Sequence, residues 1–186
     1  DAITTGTQNT FIGHGAGGAN QTADDNTAVG HLALNDVTGT DNTAVGSQAL
    51  TNLVGGTYNT ALGRYALASA DGNEAYNTAL GRTALYSINN NSAAHNIGIG
   101  YEAGRFYETT ASATPGSGTP DGDNTSSINS IFIGSDTRSA SAGDTNSIVI
   151  GYTAVSNGDN TITLGNDDTG AIHCADTSIA ALSDRR

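Results

Sequence analysis

Short alternating segments, each closed by a glycine, recur along almost the whole chain. Asn9-Thr-Phe-Ile-Gly13, Asn26-Thr-Ala-Val-Gly30, Asn42-Thr-Ala-Val-Gly46, Asn59-Thr-Ala-Leu-Gly63, Asn77-Thr-Ala-Leu-Gly81 and Asn96-Ile-Gly-Ile-Gly100 are one motif. Three looser copies come after these: Asn129-Ser-Ile-Phe-Ile-Gly134, Asn146-Ser-Ile-Val-Ile-Gly151 and Asn160-Thr-Ile-Thr-Leu-Gly165, each reading as one extra residue between the Asn and the strand. Successive glycines stand 17, 16, 17, 18, 19, 34, 17 and 14 residues apart. The interval of 34 is twice 17, so the stretch between Gly100 and Gly134 holds either a degenerate unit or a long loop.

Aligned on the glycine, the columns are chemically uniform. The residue just before it is a branched aliphatic in every copy, Ile12, Val45, Leu62 and Ile150 among them. Two residues earlier the column is Thr from Thr10 to Thr78 and Ile from Ile97 onward. Side chains alternate along a strand, so these two columns share one face. The residue between them, such as Phe11, Ala28, Ala61 or Val149, takes the other face and is mostly small or apolar. So short a strand, returning at a period near 17, predicts an all-β chain wound as a parallel β-solenoid. Nine coils at the ordinary strand spacing of ~4.8 Å would span on the order of 40 Å. Asn and Thr are expected to form ladders at equivalent corners, with Gly supplying positive φ or close approach. Val45 and Leu62 are expected inside the coil. Apolar character on both faces then leaves one face for a second copy of the chain to cover, since a bare stripe of this length invites aggregation.

Composition removes the obvious alternatives. Of 186 residues only 36% are apolar, with no Met or Trp, seven Tyr and three Phe, so a roomy core of large side chains is excluded. Net charge is −12 and every positive residue is Arg, which argues against nucleic acid or an anionic membrane as partner. The single cysteine, Cys174, excludes an intrachain disulfide and fits assembly in a reducing cytosol. No apolar run approaches the ~20 residues of a membrane helix, so no membrane insertion is expected. The start at Asp1, without Met or a signal-peptide pattern, suggests a piece of a longer polypeptide.

The Asn-Thr-Ala-(Val/Leu)-Gly-x-x-Ala units, from about Thr5 to Gly165, resemble the head repeats of trimeric autotransporter adhesins of the YadA type, which also occur in bacteriophage tail fibres. The resemblance implies a left-handed parallel β-roll, homotrimeric, with apolar strands packed around a common axis. The connections between coils are longer here than in the adhesin pattern. Ala181-Leu-Ser183-Asp184-Arg185-Arg186 resembles the junction where phage fibres meet an endosialidase-type intramolecular chaperone, which implies self-cleavage between Ser183 and Asp184. Together these resemblances imply the structural, receptor-binding part of a phage tail fibre. It would be made in the host cytoplasm and carried extracellularly on the virion, attaching it to a host cell-surface glycan or protein. A bacterial adhesin head is the alternative, and a depolymerising tailspike with acids in its turns a third. The expected organisation is β-roll repeats over 1–105, an inserted loop over 106–124, further repeats over 125–170, and an exit segment with the chaperone junction over 171–186.

Candidate chemistry is sparse. His14 and His31 both come directly after the motif glycine, but the same column continues as Ser47, Arg64, Arg82 and Tyr101, which reads as variable solvent-facing surface. His95 and His173 form no His-x-His pair, so no metal is expected at the histidines. Aspartates cluster in Gly/Asn-rich turns, where calcium is the one cofactor to consider. Their spacing fits neither an EF-hand loop nor the calcium-binding β-helix repeat, and turn chemistry accounts for them, so no cofactor is expected. No acid has the aromatic neighbours of a sugar-cleaving site, and His173 and Cys174 are adjacent, so their side chains diverge; the chain is expected not to be an enzyme. The interruption beginning at Arg105, Phe106 and Tyr107, with both prolines inside it, is the expected receptor-binding element, since loops on a rigid scaffold carry recognition.

Overall fold

The computed structural model describes residues 5–19, 22–107 and 122–166. Its strands in chain order are β1 (Thr10–Ile12), β2 (Thr27–Val29), β3 (Thr43–Val45), β4 (Thr60–Leu62), β5 (Thr78–Leu80), β6 (Ile97–Ile99), β7 (Phe106–Tyr107), β8 (Gly122–Asp123), β9 (Ile131–Ile133), β10 (Ile148–Ile150) and β11 (Ile162–Leu164). Nine of them form one parallel sheet in the order β1-β2-β3-β4-β5-β6-β9-β10-β11. Each pairs with the next in register, Thr43 on Thr60 and Val45 on Leu62 for example. The chain is therefore a parallel β-solenoid, and no helix occurs among the described residues. We call each coil a row, from row 1 at β1 to row 9 at β11.

β6 pairs directly with β9. The long interval between Gly100 and Gly134 thus holds an excursion and not a further coil. Its stem is the antiparallel pair β7–β8, with Phe106 opposite Asp123.

Each row turns through residues with left-handed backbone. In row 4 these are Tyr58 (φ 58°), Tyr65 (φ 61°) and Leu67 (φ 50°), and equivalent residues recur in neighbouring rows. The Ala-Leu stretch after each glycine is accordingly a tight double turn, neither helix nor second strand. The motif glycine is forced: Gly46 has φ 134°, and a Cβ there would sit 2.6 Å from the carbonyl oxygen of Gly63 one row on.

The interior contradicts one expectation. Ala28, Ala44, Ala61 and Ala79, the middle column, are fully buried, whereas Leu62 is 46% exposed and Ile12 59%. Val45 is half-buried. The two aliphatic columns share a face as expected, but it is the outer face. The reason is volume. Leu34, Leu50, Leu67 and Leu85 enter from the turn opposite and are fully buried, so an Ala on the strand is all the narrow lumen admits. Where the middle column is Phe, the turn residue it packs against is Gly, in the same row for Phe11 and in the row before for Phe132. A Cβ on Gly17 would meet the Phe11 ring at 2.5 Å, and one on Gly104 the Phe132 ring at 2.7 Å.

The second corner is a hydrogen-bonded ladder. The Asn9 side-chain oxygen accepts the main-chain N–H of Asn26 at 2.9 Å, and each later Asn repeats this to its successor, ending with Asn96 accepting from Ser130 at 3.0 Å. Asn26, Asn42, Asn59, Asn77 and Asn96 are buried. Beyond row 6 the ladder continues through serine, with the Ser147 N–H bonding Ser130 Oγ at 3.2 Å. The looser copies therefore carry no extra residue. Ser130 and Ser147 occupy the Asn corner, while Asn129 and Asn146 take the positive-φ position that Tyr58 and Tyr76 hold earlier.

Candidate functional site

With Ala inside, the outer face of the sheet becomes the surface to explain. Across row 4, Tyr58, Thr60, Leu62 and Arg64 are exposed while Asn59 and Ala61 are buried. The face is thus four columns wide: a border at the corner before the Asn, a Thr/Ile column, the aliphatic column, and a border just after the glycine. The aliphatic column runs unbroken from Ile12 to Leu164, with Leu80 43% and Ile150 38% exposed. The neighbouring column switches from Thr78 to Ile97, so rows 6 to 9 present two aliphatic columns side by side.

Among the described residues, the borders hold most of the exposed aromatics. On the first, Tyr58 stacks on Tyr76 (centroids 5.0 Å, 9°) and Tyr76 on His95 (4.7 Å, 3°). Rings one strand spacing apart stack almost automatically when their backbones repeat in register. On the second, His14 stacks on His31 at 5.5 Å. Arg64 lies over Tyr65 (4.4 Å) and Arg82 over Tyr101 (5.3 Å). Among the described residues neither guanidinium meets a carboxylate; the ion pairs are Arg105–Glu102 and Arg138–Asp136, at 2.7 Å and 2.8 Å. The Tyr–His stack had a signal in the sequence, since Tyr58, Tyr76 and His95 each directly precede a motif Asn; the change of residue type hid it.

The loop candidates are only partly described. Arg105 is half-buried, sandwiched over the Tyr86 ring (4.8 Å) and the Phe106 ring (4.4 Å), with its Nε buried and without a hydrogen-bond partner. Phe106 and Tyr107 form the first strand of the stem. Arg105 and Phe106 are therefore packed into the stem's base. His173, Cys174, Ser183 and Asp184, and with them the exit segment over 171–186, lie outside the described residues.

Electrostatics single out two acids. Glu74 is buried in the turn layer, its Oε2 accepting the Gly72 N–H at 2.9 Å and its Oε1 unpartnered. Burial pushes its carboxyl above the usual range. Asp24 accepts the N–H and hydroxyl of Thr7 and is held below it. Among the described residues no three His, Cys, Asp or Glu side chains converge as a metal site. A hollow beside Phe11 and His14 is otherwise lined by residues 13–18, with no acid among them. No helix of the described residues is long and apolar enough to cross a membrane.

No protein-family model, curated protein or solved structure matches the chain. Its role must therefore be sought in the geometry of the outer face and in the resemblance that its repeats carry.

Proposed function

We propose that the chain is the shaft-like, receptor-binding part of a phage tail fibre. It is a left-handed β-roll, homotrimeric, carried on the virion and attaching it to a glycan or protein of the host surface, and it performs no catalysis. The observation that carries this reading is the aliphatic column exposed on the outer sheet face. The solenoid's own interior is already filled by Ala and Leu, so a column of Ile, Val and Leu running its full length is made for something outside the coil. A parallel bundle of identical chains covers such a stripe along its whole length, because every chain carries it. The segment that begins at the Phe106–Tyr107 stem is its recognition element.

Light scattering of the purified chain should give about three times 18.6 kDa. The chain should also compete with a virion carrying it for adsorption to host cells. A monomer at micromolar concentration would remove the trimer, and absence of competition would remove the attachment role. The Asn-Thr-Ala-Val-Gly repeats suit a bacterial adhesin head equally well. The coding sequence downstream separates the two, a chaperone domain marking the fibre and a coiled-coil stalk with a membrane barrel the adhesin.

A further inference from the structure

We propose that the two borders of the outer face are docking surfaces for each other. In this scheme the first border of one chain pairs row by row, in register, with the second border of the next copy. The inference rests on the trimer reading above and adds what that reading leaves open: which surfaces meet, and in which register.

Its basis is a match in rows 2, 4 and 5. Anionic and aromatic side chains stand on the first border, and most of the face's cations on the second. In row 2, Asp25 is on one border and His31 on the other; in row 4, Tyr58 and Arg64; in row 5, Tyr76 and Arg82. These put a carboxylate opposite an imidazole N–H, and guanidinium groups opposite exposed phenol rings. A carboxylate accepting an imidazole N–H and a cation over a ring are both favourable contacts, and no described row sets like charges against each other. Within one chain the two borders are too far apart to satisfy each other. Between Tyr58 and Arg64 lie the three strand residues Thr60–Leu62, about 10 Å at 3.3 Å per residue, with a corner at each end, so the borders are more than ~10 Å and less than ~20 Å apart.

The same width fits three copies. Three such faces, closed edge to edge about an axis, each stand ~3–6 Å from it, around half the ~10 Å at which sheets pack face to face. The aliphatic columns then fill the centre while the borders meet at the three corners. Rotation about an axis along the solenoid always brings unlike borders together, so the complementarity selects a parallel, cyclic arrangement over an antiparallel one.

Site-directed cross-linking of the full chain tests this. In a Cys174→Ser background, Tyr58→Cys with Arg64→Cys is treated with a short bismaleimide. The expected product is a covalent three-chain band on a denaturing gel, with neither single variant giving one. Tyr58→Cys with Ser135→Cys, displaced by three rows or ~14 Å along the axis, should remain uncross-linked. Circular dichroism confirms folding, and Tyr76→Cys with Arg82→Cys is the second pair should the first not fold. A scattering trimer that the matched pairs fail to cross-link overturns the border pairing and leaves the trimer standing. Cross-linking by Tyr58→Cys alone overturns it too, by showing like borders together. A monomer removes both.

Discussion

Removing one rung of the Asn ladder measures what holds the rows together. In Asn59→Ala, the main-chain N–H of Asn77 loses the oxygen that accepts it at 3.0 Å, and the Glu74 carbonyl loses the amide that donates to it at 2.8 Å. Both groups stay buried, because the ladder lies inside the coil, and a water taking the place of the amide would bring the cost toward the lower end of the range. Each stranded polar group costs about 1–3 kcal/mol, so the variant should lose roughly 2–6 kcal/mol. At about 2–4 °C per kcal/mol for a domain of this size, the melting temperature falls by on the order of 10 °C. Asn59→Ser should lose less, since Ser130 already performs the same task for Ser147. Thermal melts by circular dichroism give the size, and hydrogen exchange at the Asn77 amide gives the place. An Ala variant that melts with the wild type and keeps that amide protected refutes the ladder as the source of stability.

Ala61→Asp should unfold the coil, by about 3–5 kcal/mol, because it strands a charge in the lumen; Leu62→Asp should leave the coil's circular dichroism intact and abolish association in light scattering. Gly46→Ala should cost more than about 3 kcal/mol in urea unfolding, combining a disfavoured backbone with a blocked carbonyl, whereas Gly158→Ala, whose Cβ would meet nothing within 4 Å, should cost only the backbone strain. Glu74 has a native pKa above its unfolded one, so the folded state binds the extra proton and this group's contribution to stability grows as pH falls. Glu74→Gln should therefore melt above wild type at pH 7, with the gap closing toward about pH 4, near the ordinary Glu value; a gap that widens on acidification contradicts the assignment.

The period, the glycine corners and the parallel stacking were all legible in the residue spacing, because each depends on local backbone geometry that repeats. Which face turns inward was not. Hydrophobicity favours Leu62 over Ala61 as the buried residue, and only the volume available inside the coil reverses that choice. The signal was present in the exchange of Phe11 with Gly17 and of Phe132 with Gly104, a large and a small residue trading places across one lumen. Counting four back from each motif glycine would likewise have found Ser130 and Ser147 in the Asn corner; aligning on asparagine hid them. The first border was present as a column, since Asp25, Tyr58, Tyr76 and His95 each directly precede a motif Asn; that it lies on the outer face opposite a second border was not legible, because it depends on which strand face turns inward.

The change from Thr78 to Ile97 in the outer column also bears on how bundled chains align. Rows 2 to 5 are nearly the same tetrapeptide, so such chains could slide past one another by a whole coil and meet almost identical neighbours. Above row 5 the face turns more oily, and burying Ile in place of Thr is worth about 1–2 kcal/mol per position. In the proposed trimer, a chain slipped by one coil sets an isoleucine level against a threonine level at that boundary. The step acts as a notch, the one height at which three otherwise repetitive rods can tell that they are flush.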